Sequence, residues 1–324
     1  MLVHGNALLF GCRGWYLDRT SEETEIDFVV KLYPEARYER AVRSYRALIE
    51  LHRSGFRAPR RLRVPRPYGC SPLWSFTLQE RAAGTPWADR LLAGERERRR
   101  ASRQAALWLL SLQRSPALDW PPDPGDEVVR TRRYADELAM LYPQQASVLQ
   151  TAADEIVRRL EQSRPVIAAH GDYHPKNVLI VGDVVTAIDF DAAACRDAAF
   201  DPGYAIGQAL IMPFFWHGTE AMSLGADAAS AFWKTYQDGG GKAEEPRLTT
   251  YIARTVLQAL HYACWIKRRR LREGLAPWPR LIVEWLDGGC PQIHGAPSHR
   301  TVRRPGALHQ PVAGRRDRAF PEDA

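Results

Sequence analysis

The sequence predicts a two-lobe α+β protein: a strand-rich front over residues 1–82, then a longer, mainly helical back over 83–290. Three observations carry this. Runs of β-branched and aromatic residues concentrate before residue 82. After it, apolar residues recur at helical spacing. One short pair of apolar runs, VLIV and VVTAIDF, interrupts the helical part between residues 178 and 190.

In the front lobe, FVVKLY at 28–33 has the composition of a strand. A helix is expected from about Arg37 to Arg53, because Ala41, Tyr45, Leu48 and Leu51 recur three or four residues apart, and Gly55 can end it. APRRLRVPRPYG is a proline-punctuated connection, LWSFTLQER at 73–81 a further strand, and GTP at 84–86 the turn after it. In the back lobe, residues 95–113 show a helical period through Ala105, Leu109 and Leu112. DWPPDPGD at 119–126 is a loop, and a helical segment covers about 130–163 with a break near Pro143. GD at 182–183 turns the VLIV/VVTAIDF hairpin, and helices fill about 202–287, with GGG at 239–241 between two of them. Residues 291–324, rich in Gly, Pro, Arg and His and without periodicity, are expected to be a disordered tail.

A hydrophobic share of 45% and ten tryptophans allow a large core. No apolar run is long enough to span a membrane. The N-terminus lacks the basic start and apolar stretch of a signal peptide. Five scattered cysteines, Cys12, Cys70, Cys195, Cys264 and Cys290, contain no CxxC pair and read as reduced thiols of a cytoplasmic protein. The net charge is +7, concentrated in ERERRR at 95–100, KRRRLR at 267–272 and a tail with six arginines against three acids. These runs read as solvated faces, and without a recognised nucleic-acid motif no nucleic-acid partner is expected. The aromatic set Phe214, Phe215, Trp216, Trp233, Tyr236, Tyr262 and Trp265 reads as core rather than ligand cage.

The chemistry concentrates in HGDYHPKNVLI at 170–180, followed by IDF at 188–190. Asp172 and Asn177 share a loop that runs into an apolar strand. The hairpin returns Asp189 toward Asn177, so two carboxylates and a carboxamide converge. Oxygen ligands of this kind suit Mg²⁺, which keeps waters and borrows phosphate oxygens. A second carboxylate can accept the proton of an attacking hydroxyl, and the whole suits phosphoryl transfer. His170, Asp172 and His174 also have the spacing of a zinc trio. A zinc hydrolase would need further ligands, and His217 and His261 fall in helical segments.

The segment resembles the catalytic and metal-binding segments of the aminoglycoside phosphotransferase and choline kinase-like family, relatives of the protein kinases. Its pattern is H-G-D-x-H-x-x-N, a strand pair, then I-D-F/W. It is matched at His170, Gly171, Asp172, His174, Asn177, Ile188, Asp189 and Phe190. The resemblance implies a two-lobe protein-kinase-like fold and ATP-dependent transfer of a γ-phosphate to a hydroxyl of a small molecule. It implies that Asp172 is the catalytic base, with His170 buttressing the loop and His174 ordering it. Asn177 and Asp189 would bind Mg²⁺. Lys31 looks like the strand lysine that holds the α- and β-phosphates, and Glu80 and Ala82 like hinge residues whose backbone meets the adenine. Asp197 and Asp201, in RDAAFDPGYA, occupy the place of the family's G-D-P-x-x-D-L-A. Asp201 would anchor the catalytic loop, although Arg196 and Ala198 replace the usual Gly and Pro. FWKTYQDGG at 232–240 resembles the family's F-x-x-x-Y helix, and residues 1–287 can be laid onto the family plan.

Two departures matter. The glutamate that usually partners the strand lysine falls on Ser44, and Glu39, the nearest acid, faces elsewhere on the helix, so Lys31 is expected to lack its ordinary partner. The nucleotide loop has only HGN at 4–6 before ALLFGCRGWYL, so the first strand should be short or missing. The alternative reading is therefore a catalytically degenerate kinase-like binding protein, against which the intact Asp172, Asn177 and Asp189 trio stands. Residues 200–290 hold nine acids and ten Lys plus Arg, without the acidic bias a polycationic acceptor would need. The acceptor and the oligomeric state stay open.

Overall fold

The computed structural model describes residues 2–4, 7–17, 23–34, 38–71, 73–115, 120–123, 126–162, 164, 166–269, 271, 275 and 277–294. The front contains β1 (Leu2–His4), β2 (Ala7–Leu17), β3 (Glu23–Leu32), helix α1 (Tyr38–Arg53), β4 (Leu62–Arg63), β5 (Pro67–Ser71) and β6 (Phe76–Glu80). Five of these strands form an antiparallel sheet in the order β1-β2-β3-β6-β5. β3 is central and is bonded on both edges. Lys31 therefore sits in a fixed register between Leu9 and Thr77. α1 buries Ala41, Ser44, Ala47, Leu48 and Leu51, a stripe at three- and four-residue spacing. Gly55, at φ 100, follows its end.

Two front-lobe details differ from expectation. The strand predicted from residue 73 begins only at Phe76. Residues 73–75 are the tip of the β5–β6 hairpin, with Leu73 83% and Trp74 71% exposed and Ser75 at φ 48. The short first strand exists as the three residues of β1, whereas residues 5–6 of the HGN loop lie outside the described residues.

The back lobe runs through β7 (Thr85–Pro86), α2 (Trp87–Arg90), α3 (Glu95–Gln113), α4 (Glu127–Leu141), α5 (Ala146–Leu160), β8 (Ile167–Ala169), β9 (Val178–Val181), β10 (Val184–Ala187), β11 (Ala194–Arg196), α6 (Phe200–His217), α7 (Met222–Asp238), α8 (Glu245–His261) and α9 (Trp278–Gly288). The break near Pro143 separates α4 from α5, as the proline predicts. α6 is buried along almost its whole length and packs between α7 and α8. β4 pairs in parallel with β10, and the small sheet β4-β10-β9-β7 ties the two lobes together beside the 170–177 loop. No helix among the described residues is long and apolar enough to cross a membrane. All five cysteines are free.

Packing revises three sequence readings. The tail does not begin at 291: Pro291–His294 form a short turn against α7 with Gln292 and Ile293 buried, because Ile293 supplies an apolar contact that composition hides. Residues 295–324 lie outside the described residues. The 95–100 cluster is not simply solvated: Arg98 is buried and reaches Asp227 at 2.8 Å, and Arg100 meets Asp183 at 2.8 Å. The aromatic set splits. Trp233 and Tyr236 are core, but Trp216 and Tyr262 are exposed, at 37% and 51%.

Candidate active site

The loop 170–177 is built from the backbone outward. Asp201, in the first turn of α6, is wholly buried. Its carboxylate accepts the backbone N–H groups of His170 at 2.6 Å and Gly171 at 3.0 Å. Burial raises the Asp201 pKa to about 6, with those two N–H groups opposing the shift. Gly171 has φ 81, and a Cβ there would lie 2.0 Å from the Ala192 oxygen. Only glycine fits this close approach.

His170 is fully buried. Its Nε2 donates to the Ile188 carbonyl at 2.9 Å, so the neutral ring's Nδ1 accepts the Asp172 N–H at 3.3 Å. Burial lowers its pKa to about 4, although the charges of Asp172 and Asp189 pull it up. The ring thus stands between the two carboxylates and joins their loops. Trp108 of α3 supports it from behind, stacked on Tyr173 at 5.4 Å and edge-on to His170 at 6.3 Å.

Asp172 is approached from three sides. Asn177 Nδ2 donates to its carbonyl at 3.0 Å and to Oδ2 at 3.2 Å. His174 Nδ1 accepts the Lys176 N–H at 3.2 Å, leaving Nε2 3.6 Å from Asp172 Oδ2. The buried Tyr204 phenol, on α6, donates to Asp172; burial and that carboxylate's charge both push the phenol's pKa well up.

Asp189 ends the hairpin with φ 70, a left-handed backbone that a non-glycine residue rarely holds. Lys31 reaches it across the lobe boundary: Nζ lies 2.7 Å from Asp189 Oδ1 and 2.7 Å from Asp191 Oδ2. Tyr33 donates to the other Asp191 oxygen at 2.8 Å. Burial opposes the lysine's charge, but the two carboxylates outweigh it and raise its pKa. Burial and the Asp189 charge raise the Asp191 pKa, which Lys31 opposes. The expectation that Lys31 lacks its ordinary partner on α1 holds, but the lysine is not unpaired. The partners come from the other lobe, while Ser44 is buried on α1 and Glu39 is exposed at its start.

Glu80 ends β6 opposite Phe28 of β3, and its carboxylate accepts the Arg66 N–H at 3.0 Å. Ala82 lies in the connection to β7. Gly84, at φ 126, brings that connection onto β9, where a Cβ would lie 2.9 Å from the Ile180 nitrogen.

The structure thus brings Asp172, His170, His174 and Asn177 into one cluster, and Lys31 with Asp189 into a second, bridged by His170. Sequence reasoning missed Asp191, Tyr33, Tyr204 and Trp108. Tyr33 was within reach, since it follows Lys31 by two positions where β3 ends and strand alternation puts such a pair on one face; Asp191 lies in a turn beyond β10, where alternation says nothing. Tyr204 and Trp108 carry no local signal, because helix packing brings them to the loop.

A kinase-like two-lobe fold with this loop and hairpin at the lobe boundary defines a phosphotransferase. The model of the phosphotransferase enzyme family matches residues 15–248, and the chain belongs to that family. Among solved structures, the chain is similar to the amicoumacin kinase hAmiN in complex with AMP-PNP, Ca2+ and Ami, at 15% identity and TM-score 0.54, covering 88% of this chain and 87% of that one. It is similar to a choline/ethanolamine kinase family protein from Mesorhizobium loti, at 15% identity and TM-score 0.53, covering 84% and 83%. A third is a thermostable mutant of aminoglycoside phosphotransferase APH(4)-Ia in ternary complex with AMP-PNP and hygromycin B, at 14% identity and TM-score 0.51, covering 92% and 93%. No curated protein sequence matches the chain.

Proposed function

We propose that this protein transfers the γ-phosphate of ATP to a hydroxyl of a small molecule, with Asp172 taking the hydroxyl proton. The observation that carries the reading is the convergence at the lobe boundary. Asp172 is held by Asn177 at 3.2 Å, and Asp189 is held by Lys31 at 2.7 Å, on loops joined through His170. Asp172 is partly exposed, so a substrate can reach it, whereas His170 is fully buried and acts by positioning. Asn177 and Tyr204 fix the orientation of the Asp172 carboxylate. His174 orders the turn that carries Asn177. Glu80 and Ala82, on the connection between lobes, offer backbone groups to an adenine, and Lys31 offers its charge to phosphates.

No three His, Cys, Asp or Glu side chains among the described residues are placed to hold a metal by themselves. This donor set still fits Mg²⁺, which takes one or two carboxylates and completes its shell with water and phosphate oxygens. Asn177, whose Nδ2 is committed to Asp172, keeps its oxygen as a donor, and Asp189 supplies a carboxylate. Those two residues would hold the ion, which would supply charge neutralisation at the phosphates.

One observation favours a second reading, a kinase-like binding protein without turnover: the Lys31 ammonium occupies an Asp189 oxygen. Calorimetry with Mg·ATP, followed by a phosphate-release screen against hydroxyl metabolites, separates the two. Binding that disappears in Asp189→Ala, together with acceptor-dependent release, is the expected result. Binding without any release would select the second reading, and no binding would remove both.

A further inference from the structure

Beside the functional loop lies a cavity of about 1270 Å³, walled by α2, by Phe215 and Trp216 at the end of α6, and by Lys176 and Arg269. α2 and α6 both pack against the 175–177 turn, so the cavity opens where the Asp172–Asn177 loop emerges. Lys176 stands next to Asn177, exposed toward this space. Among the described residues, no carboxylate lies within ion-pair distance of Lys176, Lys267 or Arg269. Lys176 and Arg269 both line the cavity, and Lys267 precedes Arg269 by two residues. The cations of the wall are thus without a carboxylate ion-pair partner among the described residues, and one of them, Lys176, adjoins the loop that carries Asp172. Asp89, on α2, and Glu220, in the 219–221 turn, also line it and can accept hydroxyl hydrogens.

We propose that the acceptor carries an acidic group, a carboxylate or a phosphate, that docks on Lys176 and Arg269 while its carbon skeleton lies on Phe215 and Trp216 and its hydroxyl reaches Asp172. A cationic acceptor in this cavity would meet the like charges of Lys176 and Arg269, which line it. An anion gains charge-assisted hydrogen bonds from the same groups. The aromatic wall covers the apolar face of a sugar-sized skeleton. This inference rests on the phosphotransferase reading, because only that reading requires the hydroxyl to reach Asp172.

The test uses the full chain and four probes that share one skeleton: glucose, glucosamine, glucuronate and glucose 6-phosphate. Affinities are measured by calorimetry and by the fluorescence of tryptophan, Trp216 being in the wall. One or both anions should bind about tenfold or more tighter than glucose, the scale of a charge-assisted hydrogen bond, and glucosamine should bind weakest. Comparing glucuronate with glucose 6-phosphate tells a carboxylate from a phosphate preference. Lys176→Ala and Arg269→Ala should each remove most of the advantage, and Lys176→Glu should reverse it. Mg·ATP affinity, measured on the same variants, should not move. Equal binding of all four probes, no detectable binding of either anion, or a preference indifferent to both substitutions overturns the proposal. So does a loss of Mg·ATP affinity in Lys176→Ala, which would assign the lysine to the nucleotide. Failure of the phosphotransferase reading shows elsewhere, as absent Mg·ATP binding in the wild type or as binding without any acceptor-dependent phosphate release.

Discussion

Replacing Lys31 by methionine should damage the fold, and the size of the damage follows from the geometry. Lys31 Nζ lies 2.7 Å from an oxygen of Asp189 and 2.7 Å from an oxygen of Asp191, so those oxygens are at most about 5.4 Å apart. All three side chains are largely buried, at 9%, 23% and 15% exposure. Without the ammonium, two carboxylates face each other. At an effective dielectric of about 20 their repulsion is about 3 kcal/mol, enough to raise the pKa of one of them by about two pH units. Removing one partner of a buried ion pair costs about 3–5 kcal/mol, so Lys31→Met should lose that much in urea unfolding at pH 7. The sign with pH is definite. A carboxylate whose folded pKa is raised binds more protons folded than unfolded, so stability falls as pH rises, and the deficit should shrink from pH 7 toward pH 5. The double variant Lys31→Met/Asp191→Asn removes the stranded charge and should recover more than half of the loss. It should nevertheless bind Mg·ATP poorly, since the lysine is gone. A loss below about 1 kcal/mol in the single variant, or a further loss in the double, would refute the reasoning.

Asp172→Asn keeps the shape of the side chain but cannot accept a proton, so acceptor phosphorylation should fall about 10²–10⁴-fold with an unchanged unfolding midpoint; activity within threefold of wild type would end the assignment. Gly171→Ala combines a positive φ with a Cβ 2.0 Å from the Ala192 oxygen, so about 3 kcal/mol or more of stability should be lost, read by urea unfolding. His170 and Asp201 oppose each other in acid. His170, lowered from 6.5 to about 4, makes stability rise with pH between those values, and Asp201, raised from 3.8 to about 6, makes it fall over nearly the same range. His170→Gln should leave the Asp201 effect exposed, so the variant's stability should fall as pH rises from 4 to 6, where the wild type stays nearly flat.

The sequence by itself determined where the chain changes from strand to helix and which loop gathers His170, Asp172 and Asn177. Helix α3 was legible over residues 95–113, because Ala105, Leu109 and Leu112 recur at helical spacing. The loop was legible because His170, Gly171, Asp172 and Asn177 act through bonds a few residues long: Asn177 on Asp172, the His170 ring on the Asp172 N–H. Local spacing records contacts of that kind. Only the tertiary structure decided what Lys31 holds. Its partners lie 158 and 160 residues away on another lobe, and the helix position that spacing examined, Ser44, is turned into the core. The same is true of Tyr204 and Trp108, which no neighbour in sequence points to, and of Trp216 and Phe215, which composition assigns to a core and packing places on a cavity wall. Short-range hydrogen bonds and periodic burial leave marks in the order of residues. Contacts made by docking one helix or lobe on another leave none, because any residue of suitable size and charge on the facing surface would satisfy them.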